Sequence, residues 1–224
     1  MLSTKVGNYF RKLLYLVVLF CFSAAHAGSY EDFFTAIRRD DAAGISTLLQ
    51  RGFDSNTVDP SGAYGLMMAI KLESLKAAEV LIRWSQTKVE VRNKADESPL
   101  MLAALAGNTE MCRLLIDRDA DVNKTGWTPL HYAATNGHLE VMRMLLDESA
   151  YVDATSPNGT TPLMMAARYG TPQAVQLLLQ AGADPSLKNG LGLSALDFAN
   201  QANRTDSAQI ISAFVRDQQP KGTW

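Results

Sequence analysis

Thr128 to His138 read TPLHYAATNGH. Each position has a local physical reading. Thr128 stands where a hydroxyl can cap a helix, and Pro129 falls in the first turn, where a missing N–H costs nothing. Ala133 and Ala134 remove side-chain bulk, and Gly137 is placed to end the helix after two turns. The two histidines, His131 and His138, admit two readings. They are metal ligands on one helical face, or they are packing and hydrogen-bonding parts of a larger repeated unit. The rest of the chain decides between them.

Taking Leu130 as reference, related blocks begin at Phe33, Leu66, Leu100, Leu163 and Leu196, with successive spacings of 33, 34, 30, 33 and 33 residues. Such a period is the mark of a stacked repeat array. Ser98, Thr161 and Ser194 repeat the capping position, Pro99 and Pro162 the proline, and Gly107 and Gly170 the breaker. Alanine pairs recur at 103–104 and 166–167. Each breaker is followed by a second apolar cluster, as in AEVLIRW, CRLLIDR and MRMLLDE, which predicts a longer amphipathic helix. Turn-rich segments such as AGADPSLKNGLG join the blocks. A pair of helices this short cannot bury its apolar face alone, whereas stacked neighbours build a continuous core. The expected fold is an all-α repeat solenoid of stacked helix-turn-helix units joined by short hairpin-like loops.

Gly126-Trp127-Thr128-Pro129-Leu130-His131-Tyr132-Ala133-Ala134, with Gly137-His138 and Val141 to Leu146, resembles an ankyrin repeat. The resemblance covers residues 28–224 as about six repeats, the first and last degenerate as caps. It implies that His131 and His138 are structural, the first bonding within and between repeat turns and the second opening the outer helix. It also implies a non-enzymatic scaffold that binds a protein through its concave face. Carried over position by position, the binding surface comprises Trp127, Glu97 and Thr160 before the helices and Leu105, Thr135, Asn136, Arg168 and Tyr169 at their ends. Lys94 and Asn158 add loop tips. Trp127, Arg168 and Tyr169 form its expected centre, being residue types that often anchor interfaces.

Composition narrows the function further. The chain has 21 basic and 23 acidic residues, a formal net charge of −2, which gives no general attraction to nucleic acid. Residues 1–27 place Lys5, Arg11 and Lys12 before the apolar run LLYLVVLFCF and end in Ala25-His26-Ala27, the order of a secretory signal peptide. Its removal leaves 18 basic against 23 acidic residues, a net charge of −5, and Cys112 as the single cysteine. Intramolecular disulfides are then impossible, and packing must supply the stability. Export without disulfides points to a bacterial periplasm, with a monomer that has no membrane segment once the leader is gone.

No histidine is spare for general-base work, no phosphate-binding loop is evident, and no catalytic residue, cofactor or metal is expected. One alternative comes from Met67, Met101, His131 and Met164, which follow the reference leucines. With Cys112 they suggest an accessory protein for oxidative stress or soft-metal handling, although neighbouring helices about 8–10 Å apart hold such donors away from a shared centre. Two irregularities complete the reading. The 30-residue spacing shortens the loop before Trp127 and predicts a notch there, and the long connection SQTKVEVRNKADE reads as weakly constrained.

Overall fold

The computed structural model describes residues 28–218; the expected signal peptide at 1–27 lies outside the described residues. Twelve helices are present among these residues, arranged as six consecutive pairs. They are α1 (28–38) with α2 (Ala42–Gln50), α3 (Gly65–Lys71) with α4 (Leu75–Arg83), and α5 (Pro99–Ala106) with α6 (Thr109–Ile116). Then follow α7 (Pro129–Asn136) with α8 (Leu139–Asp147), α9 (Pro162–Arg168) with α10 (Pro172–Gln180), and α11 (Ala195–Gln201) with α12 (Thr205–Gln218). Inner helices α3, α5, α7, α9 and α11 pack in series, and outer helices α2 to α12 form a second row. The core runs the length of the stack between the rows. The alanines at 103–104, 133–134 and 166–167 are fully buried there, and their small side chains allow the close approach of the inner row.

The inner helices are short enough that their ends decide their stability. Ser98, Thr161 and Ser194 each accept a bond from the amide three residues on. The residue that donates that amide reaches back to the cap N–H with its side chain. Met101 Sδ lies 3.4 Å from Ser98 N, Met164 Sδ 3.5 Å from Thr161 N, and Asp197 Oδ2 2.8 Å from Ser194 N. At the other end Gly107 and Gly137 take left-handed conformations, φ +71° and +69°. Asp40, Glu73 and Asn203 adopt that conformation in the repeats without glycine, at φ 53°, 55° and 55°. Gly170, which the sequence places among the helix-ending glycines, has no positive φ and instead leaves room for the Ala134 carbonyl of the preceding repeat.

Four of the five inter-repeat connections carry the same small hairpin. Its N–H to C=O closures are Asp59 to Ala63, Asn93 to Glu97, Ser156 to Thr160 and Asn189 to Leu193. The connection between α6 and α7 has no such closure among the described residues. Where the other fingers carry Thr57, Val91, Ala154 and Leu187, this one carries Lys124, buried at 7% exposure, which bonds to Asp96 of the preceding finger and to its neighbour's carbonyl, Thr125 O, at 3.0 Å.

The connection from 85 to 97 departs from expectation, because it is tied down along its length. The Arg118 guanidinium donates to the carbonyls of Ile82, Trp84, Ser85 and Thr87, the last three at 3.1, 3.3 and 3.2 Å. It thereby serves as a C-cap for α4 supplied from the next repeat. Asn56 holds Gln86 O and Lys88 N, and Glu90 accepts from Asp121 N. Nothing in SQTKVEVRNKADE itself announces these partners, since they come from other repeats. Replacing Arg118 by methionine keeps the apolar stem and removes the donors. We expect a loss of about 2–3 kcal/mol, read from urea unfolding, with faster hydrogen exchange near residues 84–89.

Candidate functional site

The exposed ends of the inner helices and the fingers form one surface, and a recess of about 490 Å³ lies on it. Met68, Lys71 and Leu72 supply one wall, Gly62 and Ala63 a second, and Lys94 with Glu97 a third. Leu72 is 52% exposed, which for a leucine beside a concave recess is an unfilled apolar contact. Glu97 is fully engaged. Its Oε1 accepts from Tyr132 OH at 3.0 Å, its Oε2 from Asn93 Nδ2 at 2.6 Å, and Lys71 Nζ lies 3.7 Å from Oε2. It therefore acts as a strut across three repeats, while Lys94 stands exposed at the finger tip.

The expected centre divides. Arg168 and Tyr169 do come together, the guanidinium lying 5.3 Å from the Tyr169 ring and 5.8 Å from that of Phe198. Tyr169 is 55% exposed, an aromatic surface braced by a neighbouring cation. Trp127 is half-buried and packs edge-on against His131 with ring centroids 5.2 Å apart. It braces its own loop as well as offering a partial surface.

Thr160 is corrected outright: it is 2% exposed, closes the hairpin through its carbonyl, and donates its N–H to Ser156 Oγ. The position before the capping residue lies at the hairpin base, and in this repeat the side chain turns inward. Asn158 is exposed at the tip, but its Oδ1 accepts from the Ser156 hydroxyl and lies 3.2 Å from Thr160 N, so the side chain shapes its own turn. Asn136 donates to Leu105 O at 2.9 Å and Thr135 back-bonds to His131 O at 2.8 Å; these link or trim the inner helices. Leu105 itself is half-buried beside them.

His131 is fully buried. Its Nδ1 is 3.1 Å from Thr128 N, a backbone donor, so the ring proton sits on Nε2, which donates to Thr160 O at 2.9 Å. Burial lowers its pKa to about 4, against a smaller raising effect of the Thr160 carbonyl. The ring is a neutral bridge between the fourth and fifth repeats. His138 Nε2 bonds Leu105 O at 2.9 Å, joining the fourth repeat to the third.

The methionine column does not converge on a shared centre, since Met101 and Met164 direct their sulfurs to their own caps. Cys112 is fully buried and its thiol is pushed up to about 12 by that burial, which keeps it protonated and unreactive. Among the described residues no group of three or more His, Cys, Asp or Glu side chains is arranged to hold a metal ion. A second recess, of about 520 Å³, adjoins the shortened finger and is lined by Lys124, Gly126, Thr128, Tyr151 and Asp153. It lies at the finger that the 30-residue spacing shortens, but Trp127, beside which the notch is expected, does not line it. Lys124 was legible only as a charge at an apolar column position, and that mismatch is the signal by which it could have been found.

Family models described as ankyrin repeats match residues 66–156 (three copies) and 147–199 (many copies). A putative ankyrin repeat-containing protein of Treponema pallidum (strain Nichols) is 35% identical over 77% of this chain and 48% of its own length. Ankyrin repeat and SAM domain-containing protein 6 of Rattus norvegicus is 37% identical over 63% of this chain and 13% of its own length. The chain thus spans less than half of either relative. Among solved structures, a chain from the complex of the Bd0816 predatory endopeptidase of Bdellovibrio bacteriovorus with immunity protein Bd3460 superposes with a TM-score of 0.71. The identity there is 28%, covering 81% of this chain and 97% of that one.

Proposed function

Because the chain belongs to the ankyrin-repeat family, we propose that it is a non-enzymatic scaffold that binds another protein through the concave face formed by its inner-helix ends and fingers. The observation that carries this reading is the exposure of Leu72 and Tyr169 on that face, each more than half open while the core beneath is closed. Rigid repeats present such side chains at little entropic cost on binding. The place of action is the periplasm, on the strength of the charged, apolar, then small-residue order of residues 1–27.

A narrower reading concerns the client. The superposition on a chain from an endopeptidase–immunity protein complex favours an exported hydrolase, held inactive by this chain. Tagged protein used as bait in the native exported fraction should retain one dominant partner, identified by mass spectrometry. Arg168→Gln with Tyr169→Ala should weaken its retention about tenfold or more without changing helicity or melting. Equal retention by both baits would remove this surface from the interface. A retained partner with peptidase activity, suppressed on adding the scaffold, would establish the narrower reading; a partner without hydrolytic activity would refute it.

A further inference from the structure

The recess is basic although the chain is acidic, since its lining sets Lys71 and Lys94 against the single carboxylate of Glu97. The inner-helix column reads Arg38, Lys71, Leu105, Thr135, Arg168 and Gln201, with three cations and no carboxylate, and Arg39 stands beside Arg38. The carboxylates of the adjoining fingers are all consumed internally. Asp59 Oδ1 accepts from the amides of Ser61 and Ala63 and from the Ser61 hydroxyl, Asp96 is bonded to Lys124, and Glu97 carries the three bonds given above. Arg39 and Lys94 are exposed and have no acidic partner among the described residues. Asp117, Asp119, Asp147 and Glu148 lie exposed at the ends of the outer helices with no basic partner among the described residues, while Glu31 and Asp32 of α1 and Glu73 after α3 are exposed on the inner row outside the recess. A protein with excess acid has therefore kept this recess net basic.

Resting on the scaffold reading, we propose that the partner contributes an extended acidic segment. One of its apolar side chains enters the recess between Met68 and Leu72, and flanking carboxylates meet Lys94 and Arg39. The recess is small and partly apolar, about 490 Å³, which suits one leucine-sized or phenylalanine-sized side chain with the backbone around it. Complementary charge at the rim sets association rate and partner choice, and its contribution shrinks as salt rises. A nucleic acid offers the same charge without the apolar anchor, so it is the natural competing ligand for a test.

The test uses the purified protein and four fluorescein-labelled probes, read by anisotropy at 20 and 300 mM NaCl. These are a twelve-residue peptide of Glu and Asp around a central leucine, its Gln/Asn counterpart, its Lys counterpart, and single-stranded dT12. The acidic peptide should bind about tenfold more tightly than the neutral one at low salt, with most of that margin gone at high salt. Arg39→Glu with Lys94→Glu should abolish the margin, and Arg113→Glu with Arg143→Glu, exposed on the outer helices, should leave it intact. Equal binding of the neutral peptide, equal loss in the outer-helix variant, or equally tight dT12 would each overturn the proposal. So would the absence of binding by any probe. If the neutral or basic peptide binds and Leu72→Glu removes it, the charge preference fails and the scaffold reading stands. The scaffold reading itself falls only if the bait experiment above also retains nothing.

Discussion

Replacing His131 by alanine lowers the stability of the protein by about 4 kcal/mol, the largest single-residue loss we expect outside the apolar core. The substitution leaves Thr128 N–H buried without a partner, takes from Thr160 C=O the inter-repeat one of its two bonds, and opens a cavity beside Trp127. His131→Gln separates the two bonds. A glutamine at this helical position can still reach the cap N–H but lacks the reach and geometry to bridge to Thr160, so it should recover roughly half of the loss. Denaturant unfolding of the three proteins checks this. An alanine variant within about 1 kcal/mol of wild type would show that the bridge between repeats contributes little.

The same ring makes stability depend on pH. In the folded protein His131 has a pKa of about 4, below the ordinary 6.5, so on acidification the unfolded chain takes up the proton first. The stabilisation is complete above about pH 6.5, falls progressively as pH drops toward 4, and levels off below that. The full difference is about 3 kcal/mol. Asp59, Asp96, Asp184 and Asp197 have pKa values lowered below the ordinary 3.8, so what they contribute is lost only at more acidic pH. Urea midpoints between pH 7.5 and 4.5 should therefore fall in wild type and stay nearly level in His131→Gln.

The second large effect is expected at Gly170. A Cβ built there lies 2.4 Å from the carbonyl oxygen of Ala134 and 3.0 Å from backbone atoms of Ala166. No rotamer change relieves a collision with backbone, so Gly170→Ala must push the fifth repeat away from the fourth, at about 3 kcal/mol. Gly182 provides the contrast. It has φ +94° but nothing within 4 Å, so Gly182→Ala meets only local backbone strain, about 1 kcal/mol. Thermal unfolding should rank Gly170→Ala well below Gly182→Ala. The opposite order would mean that the inter-repeat contact at Gly170 yields easily.

Period, capping residues and alanine pairs made the helix pairs legible because each acts within its own repeat. What escaped reading acts between repeats. Gly170 looks like Gly107 and Gly137 in sequence, yet it answers to a neighbour's carbonyl and not to its own φ. Arg118 sits in a polar run with nothing to distinguish it from other surface arginines, and its four acceptors lie more than thirty residues earlier. On the candidate surface, Arg168 and Tyr169 were readable because the ends of inner helices face outward in every repeat. Thr160 was not, because whether the residue before the cap turns out or in depends on the hairpin closing beneath it. The methionines were ambiguous for a related reason: a thioether that completes a cap looks, in a column of letters, like a thioether awaiting a metal.

The shortened finger has a consequence for how the chain finds its fold. A row of near-identical units is degenerate under a shift of one place, and neighbouring units that dock out of order trap a folding chain. Lys124 breaks that degeneracy. Its ammonium meets Asp96 only when the fourth repeat follows the third, because the other fingers carry Gly62, Gly159 and Gly192 at the Asp96 position and would offer an enclosed lysine no counter-charge. One missing hairpin and one enclosed lysine thus give an otherwise periodic molecule an address, by which its middle is told from its ends.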